Sequence, residues 1–355
     1  MSNIIFHIDI NYFFARCEEI KNPQLENEAF VVAERTKRSV ISTSNPLARK
    51  YKINSGMRLL DAFKLNPHIK VVKADHRYYQ TKSIEFFRVI KNFLESDIEI
   101  ASIDECYSDV TNILKKYHNN YQILATQLKR EIFKQTSLIV TIGIGDTKFL
   151  AKTAGDLKPQ NGIGWIFSNE IETKLWPLPI KDMFLVGKKA NDFFSKLNIK
   201  TIKDFIDFKN QALLKATLKK RYWVFLDFIF GKSENTINTN NNVSKTISSG
   251  ITFEQNIDDE AKILATINLC CQEIFKKLEY EKIRPLSIIV IIKKKYNVSF
   301  SQSKTFLNPI ENQKELYHKS LNIFYKLWDT EPIRSITIST NNMLSSNEIF
   351  QQIQI

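Results

Sequence analysis

Along this chain, runs of β-branched and aromatic residues broken by polar turns alternate with stretches of helical period. Ile4 to Ile10 is an apolar run of strand length whose pattern stops at an acid, Asp9, as at the end of a buried strand. A helix is predicted from about Tyr12 to Ile20, then strands at Ala29 to Ala33 and Ser39 to Ser44, and short helices at Ala48 to Tyr51 and Leu59 to Lys64. This stretch has the size of a small insertion. A long helix is predicted from Tyr78 to about Leu94, with Ile84, Phe87, Ile90, Lys91 and Leu94 spaced so that the apolar members share one face and cover a sheet.

Ile98 to Thr111 reads as two strands around a tight turn, Asn120 to Gln135 as a helix and Ser137 to Gly145 as an apolar strand. Two helices over an antiparallel sheet make an α+β unit. After Trp165 come short helices with polar turns, ending in an apolar helix at Trp223 to Phe230. Gly231 to Lys245 contains five asparagines and almost no apolar residue, so it reads as an interdomain linker. Beyond it follow a strand (Ile247 to Phe253), a long helix (Asp259 to Tyr280), two strands (Leu286 to Ile292, Asn297 to Ser301), a helix (Glu311 to Leu327) and a strand (Ile333 to Ser339). The order βαββαβ is that of a split βαβ sandwich.

With 355 residues, of which 43% are hydrophobic and 25% charged, the chain fits a multidomain globular protein and excludes wholesale disorder. A net charge of +13 creates an attractive field for polyanions, nucleic acid first among them. Cys17, Cys106, Cys270 and Cys271 show neither CxxC pairing nor histidines at ligand spacing, which argues against zinc and a disulfide framework and fits a reducing cytoplasm. The apolar run in MSNIIFHIDI is too short for a signal peptide, and no stretch reaches membrane-span length. A soluble cytoplasmic protein is expected.

Candidate chemistry centres on acids in this basic chain: Asp9 at the end of the first strand, and the adjacent Asp104 and Glu105 in the turn of the later hairpin. Hard oxygen ligands are what Mg²⁺ requires. Three gathered carboxylates repel and hold protons unless cations neutralise them. Successive strand residues face opposite sides, so Asp104 and Glu105 can serve one site if the turn bends the backbone between them. On the pattern alone, exposed turn acids are the alternative.

Four segments carry a family resemblance: HIDINYFFARCEEIKNP (His7 to Pro23), ISTSNPLARKYKINSGM (Ile41 to Met57), EIASIDECYSDVT (Glu99 to Thr111) and TIGIGDTKFLAKTAGDLKPQNG (Thr141 to Gly162). In order and spacing they resemble blocks of the Y-family translesion DNA polymerases, most like the bacterial DNA polymerase IV branch. SKTISSGITFEQNI (Ser244 to Ile257) and the βαββαβ unit resemble that family's little finger, so the likeness spans essentially the whole chain. It implies an α+β, right-hand polymerase with a ferredoxin-like palm (1–10 and 74–166), small fingers (11–73), a helical, helix-hairpin-helix-like thumb (167–230), a linker (231–245), a βαββαβ little finger (246–343) and a tail (344–355). The implied activity is low-fidelity, lesion-bypassing addition of dNTPs to a primer 3′-hydroxyl with pyrophosphate release, serving DNA repair and damage tolerance.

By the same resemblance Asp9, Asp104 and Glu105 are the catalytic acids and, with the Ile10 carbonyl, ligate two Mg²⁺ ions, for which Mn²⁺ can substitute. Tyr12, Phe13 and Phe14 stand beside the nucleotide, with Phe14 the steric gate against a 2′-hydroxyl. Arg49, Thr43 and Lys158 hold the triphosphate. Pro46 stands where many relatives have a phosphate-contacting tyrosine, and Lys158 and Pro159 lie one position earlier than in relatives. Gly187 and Lys188 form the turn that meets a DNA phosphate, with Leu185 in place of a second glycine. Lys293, Lys294, Lys295 and Lys304 are expected on duplex phosphates, which give affinity without base specificity. Expected partners are primer-template DNA, dNTPs and a sliding clamp docked through Gln351 to Ile355, and the chain is expected to be a monomer with no membrane partner. Two competing readings are a nucleotide cyclase-like enzyme, which needs neither thumb nor little finger, and a catalytically silent DNA-binding adaptor, which loss of any of the three acids would indicate.

Overall fold

The computed structural model describes residues 3–36, 38–233, 235–239, 244–295 and 298–345. Gln351 to Ile355, the expected clamp segment, lie outside these described residues. The chain divides into two compact units, Met1–Arg35 with Ser39–Asn240, and Thr36–Arg38 with Asn241–Ile355.

In the first unit, β1 (Ile5–Ile10) leads into α1 (Phe13–Lys21) and then into a small sheet of β2 (Phe30–Val32), β3 (Thr43–Ser44) and β4 (Lys70–Val72), accompanied by α2 (Pro46–Lys50) and α3 (Leu59–Leu65). Val31, Ile41, Ile53, Leu59 and Ile69 form its own core. Of the strand predicted over Ser39 to Ser44, Thr43 and Ser44 alone form a ladder, on β2. Upstream of them the backbone divides its partners, Ser42 N–H bonding Val32 C=O and Ile41 N–H bonding Met57 C=O.

The chain returns through α4 (His76–Leu94), β5 (Ile98–Ile100), β6 (Glu105–Asp109), α5 (Tyr121–Thr136), β7 (Val140–Gly145), α6 (Lys148–Asp156) and β8 (Ile163–Trp165). Its sheet has the order β5-β6-β1-β7-β8. Taken as β1-α4-β5-β6-α5-β7, the first four strands follow ferredoxin-like topology, with the β2–β4 sheet inserted after β1. The sheet is mixed rather than wholly antiparallel, because β8 lies parallel to β7 at the edge.

Alternation along β1 decides what faces where. Phe6, Ile8 and Ile10 enter the core with Phe86 and Ile90 of α4, and with Leu124 and Leu128 of α5. Ile5 packs on the opposite face with Ala151 of α6, so His7 and Asp9 share the α6 side. A Cβ on Gly143 would stand 1.9 Å from the Ala151 carbonyl oxygen and 2.4 Å from Gly155 N, which is why α6 can press its backbone onto β7. On α4 the buried residues are Tyr79, Ser83, Phe86, Phe87, Val89, Ile90 and Leu94. Ile84, expected among them, is 68% exposed, since the 3.6-residue period turns it about a third of a revolution away.

Helices α7 (Ile171–Lys174), α8 (Lys188–Lys196), α9 (Ile202–Asp207), α10 (Gln211–Leu218) and α11 (Lys220–Ile229) gather around Phe194, Phe205 and Phe225. Phe149 and Leu150 of α6 join this core, and Phe149 stacks on Phe228 at 4.3 Å. Part of the predicted linker is docked. Ile237 packs on Ile5, Tyr107 and Ala151, and Asn238 N–H donates to Glu99 Oε2 at 2.7 Å.

The second unit comprises β9 (Thr246–Ile257), α12 (Glu260–Glu281), β10 (Ile283–Lys293), β11 (Ser299–Thr305), α13 (Gln313–Leu327) and β12 (Ile333–Ser345). Its antiparallel sheet runs β11-β10-β12-β9, so β12 lies between β9 and β10 and the βαβ unit is split as predicted. Among the described residues no helix is long and apolar enough to cross a membrane.

Candidate active site

Where β1 ends, a cleft of about 450 Å³ opens, lined by Asp9, Ile10, Tyr12, Phe13, Thr43, Arg49, Asp104 and Lys158 among others. Eight of the residues expected from the sequence therefore meet in one place. Asp9 and Glu105 are direct partners across the β1–β6 ladder. Asp104 lies in the turn before β6, where Ala101 N–H and Ser102 N–H both bond the Glu105 carbonyl and Ile10 N–H bonds the Asp104 carbonyl. Glu105, unlike Asp104, is not among the residues lining the cleft, and its carboxylate is turned to His7 and Lys152. Ser102 Oγ donates to Asp104 Oδ1 at 2.5 Å.

Two cations or donors that sequence reasoning passed over organise Glu105. His7 Nε2–H donates to Glu105 Oε2 at 3.1 Å, and Lys152 Nζ donates to the same oxygen at 2.8 Å. The His7 hydrogen bond, with that of Lys152, holds the Glu105 carboxyl down at about 2. Burial pushes His7 below its ordinary value, so the ring is a neutral donor. Asp9 goes the other way: burial first, then Asp104 and Glu105, raise its carboxyl to about 7. Neighbouring carboxyls driven this far apart mark a site that a cation would relieve. Ligand atoms of His7, Asp9 and Glu105 lie within 4.8 Å of one another. The oxygen-rich donor set suits a hard divalent ion, with His7 occupied as a donor to Glu105.

The facing wall comes from the inserted sheet and α2. Asn45 caps α2, its Oδ1 accepting Ala48 N–H at 3.0 Å, and Pro46 occupies the first helical turn, where a missing N–H does no harm. Pro46 thus starts the helix and offers no hydroxyl. Arg49 is half-buried, bonds the Ser44 carbonyl through Nε at 3.2 Å, and has no acid partner among the described residues. Tyr12, at φ 40, turns the chain from β1 into α1. Phe13 is buried, and Phe14, half-buried, lies outside the cleft lining with its ring stacked on Tyr79 at 4.5 Å and edge-on to His76 at 5.7 Å. Tyr79 is in turn fixed by its hydroxyl, which donates to Glu18 at 2.6 Å.

Residues 8–156 match the impB/mucB/samB family, and residues 244–355 match the impB/mucB/samB family C-terminal domain. DNA polymerase IV of Ureaplasma parvum serovar 3 is 29% identical over 351 residues, 99% of this chain and 97% of its own. DNA polymerase IV of Francisella tularensis subsp. novicida is 32% identical over 274 residues, 76% of this chain and 74% of its own. The solved Y-family DNA polymerase chimera Dbh-Dpo4(243-245)-Dbh matches with a TM-score of 0.88 at 26% identity, covering 97% of this chain and all of its own. The insertion ternary complex of Dbh DNA polymerase matches with a TM-score of 0.68 at 27% identity, over 97% of this chain and 100% of that one.

The chain belongs to the Y family of DNA polymerases. It is a DNA-directed DNA polymerase of the translesion class.

The other residues expected on DNA lie in differing surroundings, and among them Lys188 opens α8 and is exposed. Gly187 caps α8 and Leu185 adopts φ 69, the left-handed conformation that glycine would take more readily. Lys293 ends β10 and is exposed. Lys294 is buried instead, donating to Asp329 and, at 3.0 Å, to Glu331, with Phe300 beneath its ammonium, and Lys295 is also engaged within the protein. Lys304 lies over the Phe306 ring at 5.2 Å. Lys158 approaches Trp165 at 5.9 Å while lining the cleft beside Gln160.

Of the site residues that sequence reasoning missed, His7 was within reach, because it lies two positions before Asp9 and therefore on the same face of β1. Lys152, Tyr79 and Gln160 carried no local signal.

Proposed function

We propose that Asp9, Asp104, Glu105 and the Ile10 carbonyl bind two Mg²⁺ ions, with Mn²⁺ as substitute, and that the cleft seats a dNTP against a primer terminus. Ions held there would acidify the primer hydroxyl and would offset charge on the triphosphate and leaving pyrophosphate. The chain's own residues do the rest. His7 and Lys152 fix one oxygen of Glu105 and leave the other for a ligand. Arg49 forks onto the triphosphate, with Thr43 and Lys158 as further donors. Phe14, held by Tyr79, meets the sugar and excludes a 2′-hydroxyl.

The observation that carries this reading is the pairing of the raised Asp9 carboxyl with a half-buried Arg49, without an acid partner among the described residues, across one cleft. The cores around Phe86, Ile41, Phe194 and Ile288 serve as palm, fingers, thumb and little finger. Gly187, Lys188, Lys293 and Lys304 contact primer-template phosphates. Lys294 contributes through its ion pairs, by holding the end of β10. A sliding clamp docks on Gln351 to Ile355, a reading that rests on the sequence pattern.

Primer extension with each dNTP tests the assignment. Intact protein extends in Mg²⁺, Asp104→Asn does not, and Phe14→Ala incorporates rNTPs. Intact protein that binds primer-template yet adds nothing in either metal would refute the catalytic reading.

A further inference from the structure

The loop joining α6 to β8 carries Lys158 and Gln160, and both line the cleft. Its ends are tied into regular structure: Lys158 N–H bonds the Gly155 carbonyl, and Ile142 N–H bonds the Gly162 carbonyl. Its tip is tied through one residue. Asn161, at φ 65, donates its N–H to Asn11 Oδ1 at 2.7 Å, and its carbonyl accepts from Lys129 Nζ on α5.

Neither holder is an incidental surface group. Asn11 is 8% exposed. Its own N–H bonds the Ile139 carbonyl at 2.8 Å, and its Nδ2 reaches Thr141 Oγ1 at 2.8 Å. Because the Asn161 N–H needs an acceptor, the Asn11 amide is fixed with Oδ1 toward the loop. Lys129 is half-buried, and no carboxylate pairs with it among the described residues. Burial pulls its ammonium below the ordinary value. A cation kept in that setting for a neutral carbonyl adds little to stability, so its value lies in what it positions.

We propose that Asn11 and Lys129 form a two-sided clamp on Asn161 that presents Lys158 and Gln160 to the triphosphate. Both are positioning residues, Asn11 from the metal side of the cleft and Lys129 from behind the loop. The inference rests on the reading of Lys158 as a triphosphate ligand. Gln160, the extra residue between the shifted Lys158-Pro159 pair and Asn161, becomes a neutral donor beside that lysine.

The test uses the full chain and two readouts, amide hydrogen exchange at Asn161 and steady-state dNTP kinetics. Lys129→Met raises Asn161 exchange about tenfold or more and KM for dNTP about tenfold, the loss of one charge-assisted bond, with kcat within about twofold. Its Tm falls by at most a few degrees, because one bond at a loop tip is a small part of the stability of a unit of this size. Lys129→Arg restores both readouts. Asn11→Ala raises exchange at Asn161, and Asn11→Asp, which keeps an acceptor, restores it. Unchanged exchange in Lys129→Met overturns the clamp. Raised exchange with unchanged KM overturns its role in substrate positioning. An unchanged KM in Lys158→Ala, with exchange still raised in Lys129→Met, leaves the clamp standing and removes the Lys158 assignment instead.

Discussion

Replacing Asp9 by asparagine should make the metal-free protein more stable at alkaline pH and leave its stability almost unchanged at pH 4. The Asp9 carboxyl moves from the ordinary 3.8 to about 7 on folding, so the folded state binds its proton more tightly than the unfolded chain. Stability is therefore present below pH 3.8 and is lost as pH rises through 7. A difference of roughly 3 in pKa, at 1.36 kcal/mol each, corresponds to about 4 kcal/mol. Water penetration and relaxation keep the effective dielectric of such sites high, so about half is the better expectation, ~2 kcal/mol above pH 8. For a unit of this size that is a rise in Tm of about 4–8 °C. Calorimetry of wild type and Asp9→Asn in EDTA at pH 4.5, 6, 7.5 and 9 reads the difference directly. It should grow with pH and level off above about 8. Mg²⁺ should raise the Tm of wild type at pH 8 and do much less for the variant. A difference that is flat across the range, or that shrinks with rising pH, would refute the view that burial and neighbouring acids charge this site against itself.

Glu105 should show the opposite sign. Its carboxyl is held at about 2, so its contribution is present above pH 4.5 and is lost as pH falls toward 2. Thermal scans of Glu105→Gln should accordingly lie below wild type at pH 7 and converge with it near pH 2. Arg49→Ala should raise KM for dNTP by roughly 10–100-fold, the range of a bond to a charged group, with Arg49→Lys intermediate in single-nucleotide insertion kinetics. Tyr79→Ala should relax discrimination against rNTPs by freeing Phe14 from its stack, measured as the ratio of dNTP to rNTP insertion. Gly143→Ala should cost more than about 3 kcal/mol, because the new methyl meets backbone that cannot step aside, and circular dichroism after purification should find the variant largely unfolded or degraded.

Features with a local cause could be read from the residues alone. The split βαβ order of the second unit was legible because hydrophobic period and turn residues belong to each element separately. Asp9, Asp104 and Glu105 stood out in the sequence because an acid ending an apolar strand, and two acids in a hairpin turn, contradict their neighbours, and it was the resemblance that proposed them as one site. Tertiary structure decided what depends on partners far along the chain. The same six-residue strand hides Ile8 and presents His7, but Lys152, 47 residues beyond Glu105, completes its binding. Asn11 meets Asn161 across 150 residues. Lys294 looks like its neighbours Lys293 and Lys295 in sequence, yet two acids beyond α13 take up its charge. Ile84 reads as core and faces solvent, because a helix has one buried side and the sheet beneath α4 took Ser83 in its place, beside the expected Phe87. Burial and charge compensation are properties of a position in space, and only the folded chain assigns that position.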